Sequence, residues 1–285
     1  MSVSESDLAA ECGAREGEGV RVQQAKVGEC DILRVRIESE DAAHRIGKPQ
    51  GRYVTLDCGN VCDLQGREAE QICCALAVEI REMAQRISRK RVSADFSVLV
   101  VGLGNADMTA DALGAHTVGN LSVTRQLAKE ERNLLFDRGV CEIAALAPGV
   151  AGQTGMETAE LVRGVVQSLR PDVVIAVDAL AARSPKRLAA TVQLCDSGVQ
   201  PGSGVGRGKR ALNAQTLGVP VMAIGVPTVI RCTTLIADVL ADVPTLARPR
   251  DEEIRELCVC PKEIDLVVAC AGRLLARSLE KAFCI

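Results

Sequence analysis

The chain has 285 residues with a formal charge of −3 and a pI near 5.6, and at 47% hydrophobic content it can bury a full core as one large α/β domain. This mild acidity gives no general attraction to nucleic acid, and with Trp 0, Tyr 1 and Phe 3 there is no platform for stacking bases. No apolar run approaches the length of a bilayer, and residues 1–20 have neither a basic start nor an apolar segment, so a cytoplasmic protein without membrane contact is expected.

In chain order, residues 1–20 read as a mobile acidic leader, rich in Ser, Glu and Gly. Val27 to Ile37 and Arg52 to Asp57 cluster apolar residues as short strands of a small β layer at one edge. Ile72, Leu76, Ile80, Met83 and Ile87 recur at helical spacing and predict a helix over 66–90. Phe96 to Val101 is a buried strand that breaks into Gly102-Leu103-Gly104-Asn105, a turn lacking the third glycine and the distal acid of a dinucleotide fingerprint. A helix follows from Asp111 towards Leu127. Cys141 to Leu146 is a further strand, and residues 148–155 form a glycine-rich loop before a helix from Met156 to Leu169. Val173 to Val177 and Pro220 to Val226 read as buried central strands, Ala179 to Leu194 as a helix, and Pro261 to Phe283 as a closing helix. The fold class is therefore α/β, a twisted and mostly parallel sheet with helices on both faces.

Two acids stand out. Asp111 and Asp178 follow different buried strands, so both emerge at the carboxyl edge of the sheet, where open α/β folds bind ligands. Two carboxylates held close together share a proton, so one acts as general base on water and the other donates to the leaving nitrogen. Peptide hydrolysis can proceed by this route without serine or cysteine. Asp111 also has a plainer reading as a helix cap or first-turn acid, and a third acid, Asp196, reads as a turn aspartate bonding its own backbone. Glu157 and Thr158 open a helix near the glycine-rich loop. A serine triad is disfavoured because His44 sits in the edge layer, His116 on a helix surface, and Ser203 lacks the nucleophile elbow.

The 13 cysteines are scattered, and Cys73, Cys74, Cys195 and Cys270 read as small core residues. Cys58/Cys62 and Cys258/Cys260 come nearest to metal spacing, but no paired CxxC occurs, and neither metal nor cofactor is expected.

The segments VVGLGN, TADALG, APGVAGQTGMET, VVIAVDALAARS, DSGVQPGSGVG and TLGVPVMAIGVPTVI, in this order, resemble the germination proteases of spore-forming bacteria. The resemblance is dense over residues 95–230, with GRYVTL and CPKEIDLVVA as outlying support. It implies an atypical aspartic-type endopeptidase that degrades small acid-soluble spore proteins in the spore core, on a fold similar to the hydrogenase maturation proteases. The family's two proposed catalytic aspartates match Asp111 and Asp178. The resemblance further implies a homotetramer and a zymogen that removes a short leader, here residues 1–7 ahead of a peptidase domain over 8–285. Glu5 to Glu11 is similar to the family's processing sequence, which points to a cut between Asp7 and Leu8, and the spore-protein substrates carry a similar pattern of acid, apolar residue, alanine and glutamate around their own cut. Two other readings stay open: a metal-linked maturation-type protease, which the scarcity of histidine disfavours, and a non-catalytic nucleotide-binding protein.

Overall fold

The computed structural model describes residues 6–13, 15–127, 133–134, 136–200, 210–239 and 257–283. After a 3-10 turn at Ala9–Glu11 comes a hairpin, β1 (Val20–Val27) and β2 (Cys30–Ile37), followed by α1 (Glu40–Ile46) and β3 (Gly51–Asp57). The strand expected over Val27 to Ile37 thus begins only at Cys30, and Val27 instead ends β1, because Gly28 at φ +60° lets the chain reverse between the paired residues Val27 and Cys30. Ser39 starts α1 by accepting from the Ala42 N–H at 3.2 Å.

The long helix α2 (Gly66–Ser88) and β4 (Ser97–Gly102) match their sequence pattern. A single 3-10 turn, Thr109–Asp111, then leads into α3 (Leu113–Gly119), which stops well before Leu127. β5 (Glu142–Leu146), the one-turn α4 (Ala151–Thr154) and α5 (Thr158–Leu169) precede β6 (Val173–Ala182). Then come β7 (Thr191–Cys195), α6 (Ala214–Leu217), β8 (Val221–Arg231), α7 (Cys232–Val239), β9 (Cys258–Val259) and α8 (Ile264–Ala282).

These strands form one nine-stranded sheet in the order β1-β2-β3-β7-β8-β6-β4-β5, with β9 added on β8. The part from β8 to β5 is parallel, and the expected edge layer of β1 to β3 continues the same sheet antiparallel through β7. Alternation along the strands separates two cores. Val98, Val100, Ile175, Val177, Met222 and Ile224 face α2 and α8, while Leu99, Val101, Val174, Ala176 and Val221 face α5 and α6.

The stretch from Ala179 to Leu194 is not the helix its alanines suggest. Ala181 and Ala182 stay extended because they pair with Val229 and Ile230 of β8. Ser184 and Pro185 then end the strand in a single turn, whose Arg187 is tied to Asp57 at 2.7 Å, and Thr191 to Cys195 return as β7 between β3 and β8. Pairing on both sides outweighs alanine's local preference.

Candidate active site

β4 lies between β5, which follows it in the chain, and β6, so the sheet's connections diverge at the β4/β6 boundary and open a crevice there. The last β4–β6 pair is Gly102 with Val177, and Asp178 is the next residue on β6. It therefore stands where β6 loses its neighbour on one side while Gly225 of β8 still pairs it on the other. Asp178 is only 8% exposed, and its Oδ1 accepts from the Ala179 N–H at 3.0 Å.

Asp111 reaches the same place by a tight turn. The Leu103 N–H donates to the Val177 carbonyl at 2.8 Å, carrying β4 one residue further, and Gly104 then turns at φ +97°. A Cβ on Gly104 would lie 1.9 Å from the Asp111 carbonyl oxygen, so only glycine lets this loop press against the 3-10 turn. Asp111 ends the 3-10 turn one residue before Ala112, which stands at the N-cap of α3; its Oδ2 accepts from the Asn105 N–H at 2.7 Å, which folds the carboxylate back over the glycine turn. The Thr228 hydroxyl holds the turn to β8 by donating to the Ala110 carbonyl at 2.7 Å.

Asp111 and Asp178 line one cavity of about 70 Å³, together with Gly104, Gly149, Glu157, Thr158 and Arg210. Its volume exceeds what a water molecule needs. Glu157 and Arg210 approach to 3.9 Å on its wall, so both acid residues of the sequence pair and the Glu157-Thr158 step belong to one site. Asp178 also lines a wide cleft of about 990 Å³ on the same side of the sheet. His44 reaches this cleft from α1 and is exposed, while exposed His116 lies on α3.

Residues 6–12, expected to be mobile, are packed against the sheet at the side of that cleft. Leu8 and Ala9 are fully buried, and Asp7 lines the cleft wall with Asp178. The Asp7 N–H donates to the Ala181 carbonyl at 2.8 Å, and the Ala181 N–H donates back to Asp7 Oδ2 at 2.8 Å. Leu8 packs against Leu180, Ala182, Leu188, Ile230 and Leu235. The Glu11 carboxylate accepts from the Arg183 and Ser184 N–H groups at 2.7 and 2.8 Å. Buried Gln193 of β7 bonds the backbone of Asp7 and of Ala9. A polar leader conceals this docking because Leu8 fills a pocket built by β6, β8 and the segments that follow them, while Ala9 is buried with Val35, Ile37, Tyr53 and Cys195.

Asp196 is not a local turn aspartate. Its Oδ1 accepts from the Arg52 N–H at 2.7 Å and fastens the end of β7 to β3. Ser203 and residues 201–206 lie outside the described residues. Among the described residues no three His, Cys, Asp or Glu side chains group so as to hold a metal ion.

The cysteines divide by exposure, and Cys74, read from sequence as a core residue, is exposed on α2. Burial pushes the Cys58 thiol up to about 12 and, with the Asp57 charge, the Cys30 thiol up to about 11. Burial also raises Cys195. At pH 8, iodoacetamide is expected to label Cys74 and Cys260 in the folded chain and to reach Cys58 and Cys195 only in denaturant. Peptide mass mapping reads this directly, and labelling of Cys58 in the native protein contradicts the burial described.

A family model for germination protease matches residues 1–245 of the chain. The germination protease of Clostridium acetobutylicum is 35% identical over 93% of this chain and 88% of its own length. That of Caldanaerobacter subterraneus is 36% identical over 94% of this chain and 89% of its own, and that of Bacillus subtilis is 42% identical over 70% of this chain and 53% of its own. Among solved structures, a NiFe hydrogenase maturation protease from Thermococcus kodakarensis aligns over 66% of this chain and 94% of its own at 16% identity and a TM-score of 0.32. With the family model spanning most of the sequence and relatives matching along nearly the whole of both chains, this chain belongs to the germination protease family.

Proposed function

We propose that the chain cuts small acid-soluble spore proteins with Asp111 and Asp178 as its working carboxylates. That it is a peptidase of spore germination follows from its family. The observation that carries the dyad is the shared cavity: two acids more than sixty residues apart in sequence line one pocket with room for water, beside a wide cleft whose wall includes Asp7.

In this reading a water molecule in the cavity adds to the scissile carbonyl carbon. One ionised carboxylate takes the water's proton, and the other, protonated, delivers a proton to the leaving nitrogen as the C–N bond breaks. Each turnover returns the pair to one shared proton. Water must reach a polar, partly enclosed space for this, and the cavity walls of Gly104 and Gly149 supply it without side-chain bulk.

The same reading makes residues 1–7 a leader removed by the enzyme itself at the Asp7–Leu8 bond. Docking of Asp7 in the cleft with Asp178 supports this better than the mobility expected from composition. The enzyme works in the spore core as a homotetramer, and no described helix is long and apolar enough to cross a membrane. On activation, intact mass and N-terminal sequencing are expected to find Leu8 as the new first residue; a mature N-terminus elsewhere rules the assignment out.

Incubating the purified full chain with a small acid-soluble spore protein tests the proposal. Discrete fragments are expected from the parent and none from Asp178→Asn. An intact substrate after incubation with the processed parent chain overturns it.

A further inference from the structure

Among the groups around the cleft, one side chain touches the bond to be cut and has no role in the dyad. Gln193 Nε2 donates to the Asp7 carbonyl oxygen at 2.9 Å, and its Oε1 accepts from the Ala9 N–H at 2.6 Å. A backbone N–H only donates, so Ala9 fixes which end of the carboxamide is oxygen and turns the NH₂ end towards Asp7. The Asp7 carbonyl is the one joined to Leu8. We infer that Gln193 is a catalytic residue of this peptidase, polarising the scissile carbonyl and stabilising the oxyanion that forms when water adds. This rests on the reading that the Asp7–Leu8 bond is a substrate of the site.

The sheet supports that assignment. Gln193 and Asp178 are each in register with Gly225, from opposite sides of β8. Registered neighbours project to one face, and two strand spacings put their backbones about 10 Å apart. Gly225 contributes no side chain to that interval, and the space it leaves is taken by the Leu180 side chain of β6. Asp7 joins the two strands: its N–H bonds to Ala181, three residues past Asp178 on β6, and its carbonyl bonds to Gln193 of β7. Its carbonyl therefore meets an amide donor on the β7 side, in a cleft that Asp178 also lines.

The seat also explains how the bond is aligned. Asp7 Oδ2 is held by the Ala181 N–H, Leu8 fills its apolar pocket, and Glu11 is gripped by the Arg183 and Ser184 N–H groups. These fix the peptide on both sides of the bond, so the Gln193 donor meets one particular oxygen. In the reaction the new C–O bond forms from water and the carbonyl π pair moves onto that oxygen. Gln193 donates a hydrogen bond to it throughout and transfers no proton, and collapse of the oxyanion expels the nitrogen with the proton supplied by the dyad.

The test uses the processed full chain and a ten-residue peptide with the sequence of residues 4–13 as substrate. Gln193→Ala is expected to lower kcat by about a hundredfold with little change in KM. Gln193→Glu, nearly isosteric, keeps the acceptor for the Ala9-type N–H but faces the carbonyl with a carboxylate at neutral pH. Its rate relative to the parent is expected to recover as pH falls through the carboxylate range, where a protonated Glu again offers a donor. A peptide aldehyde ending at the Asp7 position, whose hydrate is tetrahedral, should bind Gln193→Ala more weakly by the same factor as the loss of kcat. A kcat for Gln193→Ala within threefold of the parent overturns the assignment, as does a Gln193→Glu rate with the parent's own pH dependence. If Gln193→Ala does not fold, the pH ratio of the isosteric Glu variant decides alone. Parent-like cleavage by Asp178→Asn removes the dyad instead, and leaves the Gln193 result to be read separately.

Discussion

Asp178→Asn is expected to slow peptide hydrolysis by about a thousandfold while the chain keeps its fold. Asparagine has the size of aspartate and retains the oxygen that accepts from the Ala179 N–H. The β6–β8 ladder through Asp178 and Gly225 is backbone pairing and does not depend on the charge. What disappears is the capacity to exchange a proton with water or with the leaving nitrogen. Circular dichroism and melting close to the parent's, combined with loss of kcat, is the expected pattern. A variant that cuts at the parent rate removes Asp178 from the chemistry.

The second large effect is on stability. Gly114→Ala is expected to cost about 3 kcal/mol, because a Cβ there would meet the backbone N and O of Leu103 at 2.3 Å and the Gly102 carbonyl carbon at 2.5 Å. Backbone atoms cannot rotate away as a side chain can, so α3 must move off β4. For a chain of this size that corresponds to a melting temperature lower by roughly 6 to 12 °C. The same shift drags the Thr109–Asp111 turn, which precedes α3 directly, so activity should fall even where the chain remains folded. Gly119→Ala is the control: it closes the same helix, and its Cβ meets nothing within 4 Å. Calorimetry showing Gly114→Ala and Gly119→Ala to be alike contradicts the close approach.

Much of the site can be read from sequence because it is carried by strong local patterns. The uninterrupted apolar runs of β4 and β6 locate buried parallel strands, and an acid after each is visible without coordinates. The helices α2 and α8 announce themselves by spacing. Other parts depend on partners far away in the chain. Gln193 sits in a stretch whose alanines and basic residues suggest a helix, and only pairing with β3 and β8 makes it a strand. Leu8 and Ala9 look like leader residues until Leu180, Leu188 and Ile230 exist to bury the first and Val35, Ile37 and Tyr53 the second. Asp196 reads as a turn residue because its partner, the Arg52 N–H, lies 144 positions earlier.

Most direct for the dyad is a double-variant cycle: kcat/KM on one spore-protein substrate for the parent, Asp111→Asn, Asp178→Asn and the combined variant. Groups that share one proton act as a unit, so each single change should remove nearly all activity and the combination should be no slower than the worse single variant. Losses that multiply in the double variant, or a single variant with parental kcat/KM, would contradict the account.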